Sequence, residues 1–142
     1  MKKTALLPII FFNLTACSQG MTSMIDRSHM PCGNKPNCVS TQDTRAKFAL
    51  IPYTLSDSAT IDAIEQAALA LPGAKTAVKQ NDYLRIECTS KIMRFVDDLE
   101  LKIKGNTLLV RSESRVGYSD FGVNRKRADQ LRTLLIEAKL IK

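Results

Sequence analysis

Apolar residues along this chain switch between helical spacing and strict alternation, and the switches mark the elements. Lys47 to Tyr53 reads as a short strand that closes near Pro52. Asp57 or Ser58 can cap a helix, after which Ile61, Ile64, Ala68 and Leu71 recur on one helical face. Pro72-Gly73 ends it. Lys75 to Lys79 and Tyr83 to Thr89 read as two strands around Asn81-Asp82. In the second, Leu84, Ile86 and Cys88 share one face, while Tyr83, Arg85 and Glu87 share the other. The clearest signal is a hairpin. Asp98 to Ile103 alternates strictly, Gly105-Asn106 suits a two-residue turn, and Thr107 to Arg115 returns. That turn places Ile103 opposite Leu108, Leu101 opposite Val110 and Glu100 opposite Arg111. A slip of one residue would exchange the two faces, so the agreement of apolar with apolar and acid with base fixes the register. A final helix from about Asn124 to Lys139 carries Ala128, Leu131, Leu135, Ala138 and Ile141 as its apolar stripe.

The order strand, helix, four strands, helix predicts the α+β class. We expect an antiparallel sheet of about four to five strands, with two helices packed on one face and the other face polar. Residues 32–142 form one domain in this reading, and its length suffices for one core. Residues 32–46 read as an irregular, docked loop. Residues 17–31 are polar and aperiodic, and read as a tether.

The start of the chain is different in kind. Lys2 and Lys3 precede a nearly unbroken apolar run from Ala5 to Leu14. A bilayer-spanning helix needs about 20 apolar residues, so this run has the shape of a signal peptide, residues 1–16. Leu14-Thr15-Ala16-Cys17 resembles the lipobox of bacterial lipoproteins. That resemblance implies several acyl chains on Cys17, and more than one chain gives stable anchoring. By the same resemblance, Ser18 implies sorting to the outer membrane, facing the periplasm.

Three cysteines then remain in an oxidising compartment: Cys32, Cys38 and Cys88. One disulfide and one spare thiol are expected. Pairings 32–38, 32–88 and 38–88 are all open; the short loop around Gly33 and Pro36 favours the first. His29 with these cysteines fits no standard zinc spacing, so no metal site is expected. No cofactor is expected either.

The chain carries 21 basic and 14 acidic residues, a formal net charge of +7. Such a balance suits an anionic surface or ligand. An envelope address argues against nucleic acid and for phospholipid headgroups, anionic glycan or small anions. Two clusters concentrate the charge. The hairpin register sets Asp98 opposite Glu113, and like charges there are destabilising unless compensated. Arg111, Arg115 and Arg85 lie on the same face as the compensating cations. Such a face can be an ion-pair lattice in solvent, or a carboxylate pair with one raised pKa. Asp97 has the opposite parity and points towards the helices, where Arg125 could reach it. The second cluster is Ser119-Asp120-Phe121-Gly122 before the last helix, whose first turn holds Arg125, Lys126 and Arg127. Cations at a helix N-terminus need an offsetting anion, either Asp120 and Asp97 or a bound ligand.

Several mechanisms are excluded. The one His, His29, lies in the tether, so the domain holds no Ser-His-Asp triad. No phosphate-cradling glycine loop occurs. The segments 37–40 (NCVS), 95–100 (FVDDLE) and 111–127 (RSESRVGYSDFGVNRKR) resemble the signature of domain-of-unknown-function family 1499. The resemblance spans residues 31 to 136 and implies an envelope protein without assigning an activity. Among the positions that match its motif, Asp97, Asp98, Arg111, Arg115, Ser119, Asp120, Asn124 and Arg125 form the candidate ligand-binding set. The expected function is a non-enzymatic lipoprotein domain that binds an anionic ligand or envelope component. A hydrolase or transferase using the acidic residues, and a structural or assembly factor, are the alternatives.

Overall fold

A computed structural model describes residues 25–142. The leader, Cys17 and most of the expected tether lie outside these residues. The element order is β1 (Cys38–Ser40), β2 (Tyr53–Thr54), α1 (Ile61–Leu69), β3 (Ala74–Lys79), β4 (Tyr83–Thr89), β5 (Val96–Lys104), β6 (Thr107–Ser114) and α2 (Val123–Glu137). The strands form one antiparallel sheet of order β1-β6-β5-β4-β3, with β2 also pairing β6. The α+β architecture is as expected, with six strands rather than four to five.

The hairpin holds the expected register, including Ile103↔Leu108, Leu101↔Val110, Glu100↔Arg111 and Asp98↔Glu113. One face of the sheet is apolar. Leu84 and Ile86 from β4, Leu99 and Leu101 from β5, and Leu108 and Val110 from β6 are buried against Ile64 and Ala68 of α1 and Leu131 and Leu135 of α2. Each such fully buried aliphatic side chain contributes about 1.5–3 kcal/mol. Thr60 caps α1, its hydroxyl accepting from Ala63 N. The cap sits beyond both expected candidates, three residues after Asp57 and two after Ser58. Gly73 then turns the chain at φ +67°, and a Cβ there would lie 2.1 Å from the Thr89 carbonyl oxygen. Only glycine lets the chain pass so close to β4.

Three expectations need correction. The strand over Lys47–Tyr53 shrinks to Tyr53–Thr54 plus a single parallel bridge from Ala49 to Ser40. A regular strand instead forms within the loop expected over 32–46, where Cys38, Val39 and Ser40 pair with Glu113, Ser112 and Arg111. Third, residues 25–31 of the expected tether are docked. They run as a strap over the polar face of the sheet: Asp26 meets Lys102 at 2.7 Å, and the Arg27 amide donates to Glu100 Oε1 at 2.9 Å.

Candidate functional site

Alternation along β4, β5 and β6 sends Arg85, Asp98, Glu100, Arg111 and Glu113 to the face opposite the helices. That face was expected to be solvated, yet Arg85, Asp98, Glu100 and Arg111 are buried. The strap supplies the cover, and Arg27 supplies a cation that the sequence reading did not include. Its Nη1 donates to Glu113 Oε2 at 2.6 Å, and its Nε lies 3.5 Å from Glu100 Oε2. Arg111 Nη1 donates to Glu113 Oε2 at 2.8 Å and lies 3.6 Å from Glu100 Oε2. Tyr83 OH donates to Glu100 Oε1 at 2.9 Å. Arg115 holds Asp98 through Nε and Nη2 at 2.9 and 2.7 Å, and Nη2 also reaches Glu87 at 2.5 Å. The like charges Asp98 and Glu113 are therefore each compensated by arginine.

These contacts set the proton affinities. Burial pushes the Glu113 carboxyl up, but Arg111 and Arg27 outweigh it and hold the group below its ordinary range. Hydrogen bonding to Asp98, then Glu87, raises the Arg115 guanidinium above its ordinary value. Burial, then the Glu100 charge, pushes the Tyr83 phenol up.

A cleft of about 650 Å³ opens beside this lattice. Arg27, Lys35 and Arg115 bring cations to its wall, Asp98 and Glu113 bring carboxylates, and Asn34 and Asn37 bring amides. Arg27 and Arg115 each keep 37 % of the side chain exposed. Their carboxylate partners fix the guanidinium planes. Lys35 is exposed and makes no side-chain hydrogen bond or ion pair among the described residues.

The expected ligand-binding set does not come together. Asp98 and Arg115 line the cleft, and Arg111 lies beneath it. Ser119, Asp120 and Arg125 border a separate hollow of about 220 Å³ near Cys38 and Phe48. Asp97 and Asn124 belong to a buried network on the helix side. Asp97 does face the helices, but its partner is Arg127, at 2.7 Å, not Arg125. Arg125 instead donates to the carbonyls of Lys47 and Ala49. Asn124, fully buried, places Nδ2 within 3.0 Å of Asn37 O, Ser114 Oγ and Asp120 Oδ2, and its Oδ1 accepts from Ser112 Oγ and Arg127 Nη1. Asp120 also accepts from the amides of Gly122 and Asn124. The first turn of α2 is thus offset by the chain's own acid. Asp120 and Asn124 fasten this helix to the sheet.

Cys32 and Cys38 form the disulfide, and Cys88 is the buried free thiol. Burial pushes that thiol up in pKa, which keeps it protonated and inert. Among the described residues no group of three His, Cys, Asp or Glu side chains is placed to hold a metal ion. No described helix is long and apolar enough to cross a membrane.

Fold and site together define an α+β domain whose sheet packs apolar side chains against helices on one face and a strapped charge lattice on the other. A family described as a protein of unknown function (DUF1499) matches residues 29–135, and this chain belongs to it. Comparison with curated proteins gives no match, and comparison with solved structures gives none either.

Proposed function

We propose that this protein is a lipid-anchored component of the bacterial envelope, and that its domain binds an anionic ligand in the cleft beside Arg27, Lys35 and Arg115. The observation that carries the binding role is the way the arginines are held. Carboxylates fix both guanidinium groups at the wall of the cleft, Arg115 along its Nε–Nη2 edge by Asp98 and Arg27 by Glu113, so neither has to be ordered first when an anion arrives. Lys35 adds an ammonium without a partner among the described residues. The cleft volume lies in the range of small-molecule sites. Despite its burial, Glu113 is held below its ordinary range by Arg111 and Arg27, which disfavours it as a general acid. The disulfide suits the oxidising compartment beyond the inner membrane, and acyl chains on Cys17 would supply the anchor.

Two measurements test this. Mass spectrometry of the protein from membranes should find the N-terminal peptide starting at an acylated Cys17; an unmodified thiol there removes the anchor. Titration with inorganic phosphate and with a phosphomonoester should perturb the Arg115 Nε and Lys35 signals in NMR spectra. Lys35→Ala should weaken that response and leave the melting temperature unchanged. Unmoved signals at millimolar anion would overturn the binding role.

A further inference from the structure

The large exposed apolar side chains concentrate at one end of the molecule. Ile92, Met93 and Phe95 project from the β4–β5 loop, and Val116, Tyr118 and Phe121 from the β6–α2 loop. The loops are neighbours: Thr89 pairs with Val96, and the Arg115 amide donates to Val96 O at 3.3 Å. Ile92 is 88 % and Phe121 95 % exposed. Soluble surfaces carry single exposed apolar residues, whereas a cluster marks a contact with something apolar. The backbone supports the same reading. Arg94 and Phe121 adopt φ of 55° and 53°, a left-handed conformation that costs a bulky residue free energy. At Phe121 that cost holds an aromatic ring away from the domain's core.

Charge selects the partner. Lys91, Arg94 and Lys126 rim the apolar cluster and line a groove of about 500 Å³ with Arg127. No acid occurs between Ser90 and Phe95. Asp120, in the other loop, is turned inward onto Gly122 and Asn124. Apolar tips within a basic rim match the interface of an anionic bilayer, where acyl chains lie beneath phosphate groups. Reach is sufficient as well. Asp26, fixed on Lys102, sits about 20 Å along β5 from Val96. An extended chain from Cys17 to Asp26 covers up to about 30 Å.

We infer that the β4–β5 and β6–α2 loops dock on an anionic phospholipid surface, with Ile92, Phe95, Tyr118 and Phe121 entering the interface and Lys91, Arg94 and Lys126 pairing with lipid phosphates. The inference rests on the envelope reading only for the nearness of a bilayer. The chain contains no Trp, so one substitution gives a local reporter. The full-length Phe121→Trp protein is mixed with, or reconstituted into, vesicles of phosphatidylethanolamine and phosphatidylglycerol containing brominated phosphatidylcholine. Docking shifts the Trp emission to the blue and lets the brominated chains quench it. A Trp at Ile51, which is 74 % exposed on the β2 edge of the sheet, two residues before Tyr53 and away from both loops, stays unquenched. Replacing Lys91, Arg94 and Lys126 by Gln lowers the docking equilibrium constant about fivefold per charge removed. Three results overturn the inference: no quenching, equal quenching on uncharged vesicles, or a blue shift that follows protein concentration without bromine quenching, which would mean a second copy covers the loops. Flotation with the vesicles, read in the same samples, reports the anchor separately.

Discussion

Glu100 is the residue whose replacement most directly tests the charge lattice. It is 1 % exposed and faces Arg27 and Arg111 at 3.5 and 3.6 Å. Glu100→Gln keeps an oxygen to accept from Tyr83 OH and the Arg27 amide, removes the charge, and sets an NH2 donor against Arg27 and Arg111. Breaking a buried ion pair costs about 3–5 kcal/mol, because the surviving charge stays desolvated. Here the lower end applies: Arg111 keeps Glu113 at 2.8 Å, and Arg27 is partly exposed. We therefore expect a loss of about 3 kcal/mol in urea unfolding, and a fall in melting temperature of about 12 °C for a domain of this size. Arg111→Met alone should cost a similar amount. The double variant should cost less than the sum, since neither charge is then stranded, with a coupling of about 1–3 kcal/mol. Glu100→Gln within about 1 kcal/mol of the parent, or additive effects in the cycle, would refute the view that these charges are buried and interdependent.

Asn124→Ala should destabilise the domain by about 3 kcal/mol in the same assay, because it strips buried Ser112 and Arg127 of a partner and loosens the start of α2. Serine in place of Cys32 and Cys38 opens a loop of sequence separation 6, and loop-closure entropy puts the cost at about 2 kcal/mol, readable as the difference between oxidised and reduced melts. Acid should destabilise the protein. Hydrogen bonding to Arg45 lowers Asp43 despite its burial, and Glu113 is lowered as described above. Lowered carboxylates stabilise the fold above their unfolded values near about pH 4, and that stabilisation is lost as pH falls through the folded values. Asp43→Asn should flatten this acid limb in melts taken from pH 7 downward, and an unchanged slope would show that Asp43 is not one of the groups responsible.

The hairpin was legible because two independent signals coincide there: the Gly105-Asn106 turn and the parity of each side chain. The strap was not. Polar, aperiodic residues look alike whether docked or free, and the partners of Arg27 stand 73 and 86 positions away in the chain. β1 and β2 are too short, at three and two residues, to show a period. The error over Arg125 has a clearer cause. Ala128, Leu131 and Leu135 define the inward stripe of α2, and one helical turn before Ala128 and Leu131 stand Asn124 and Arg127. Helical phase therefore pointed to Arg127. Treating the run Arg125 to Arg127 as one block of charge hid it. The same block reading merged the cleft, the hollow near Phe48 and the buried Asn124 network into one site.

The strap also decides how the domain would respond to mechanical load. Force arriving through the chain before Ile25 meets Asp26–Lys102 first and then Arg27 with Glu100 and Glu113, contacts strung along β5 so that they are loaded one after another. Should they yield, peeling runs on to Cys32, where the covalent link to Cys38 in β1 brakes it. A tug from the N-terminal side is thus spent on the ion pairs of the strap before it reaches the leucines between sheet and helices.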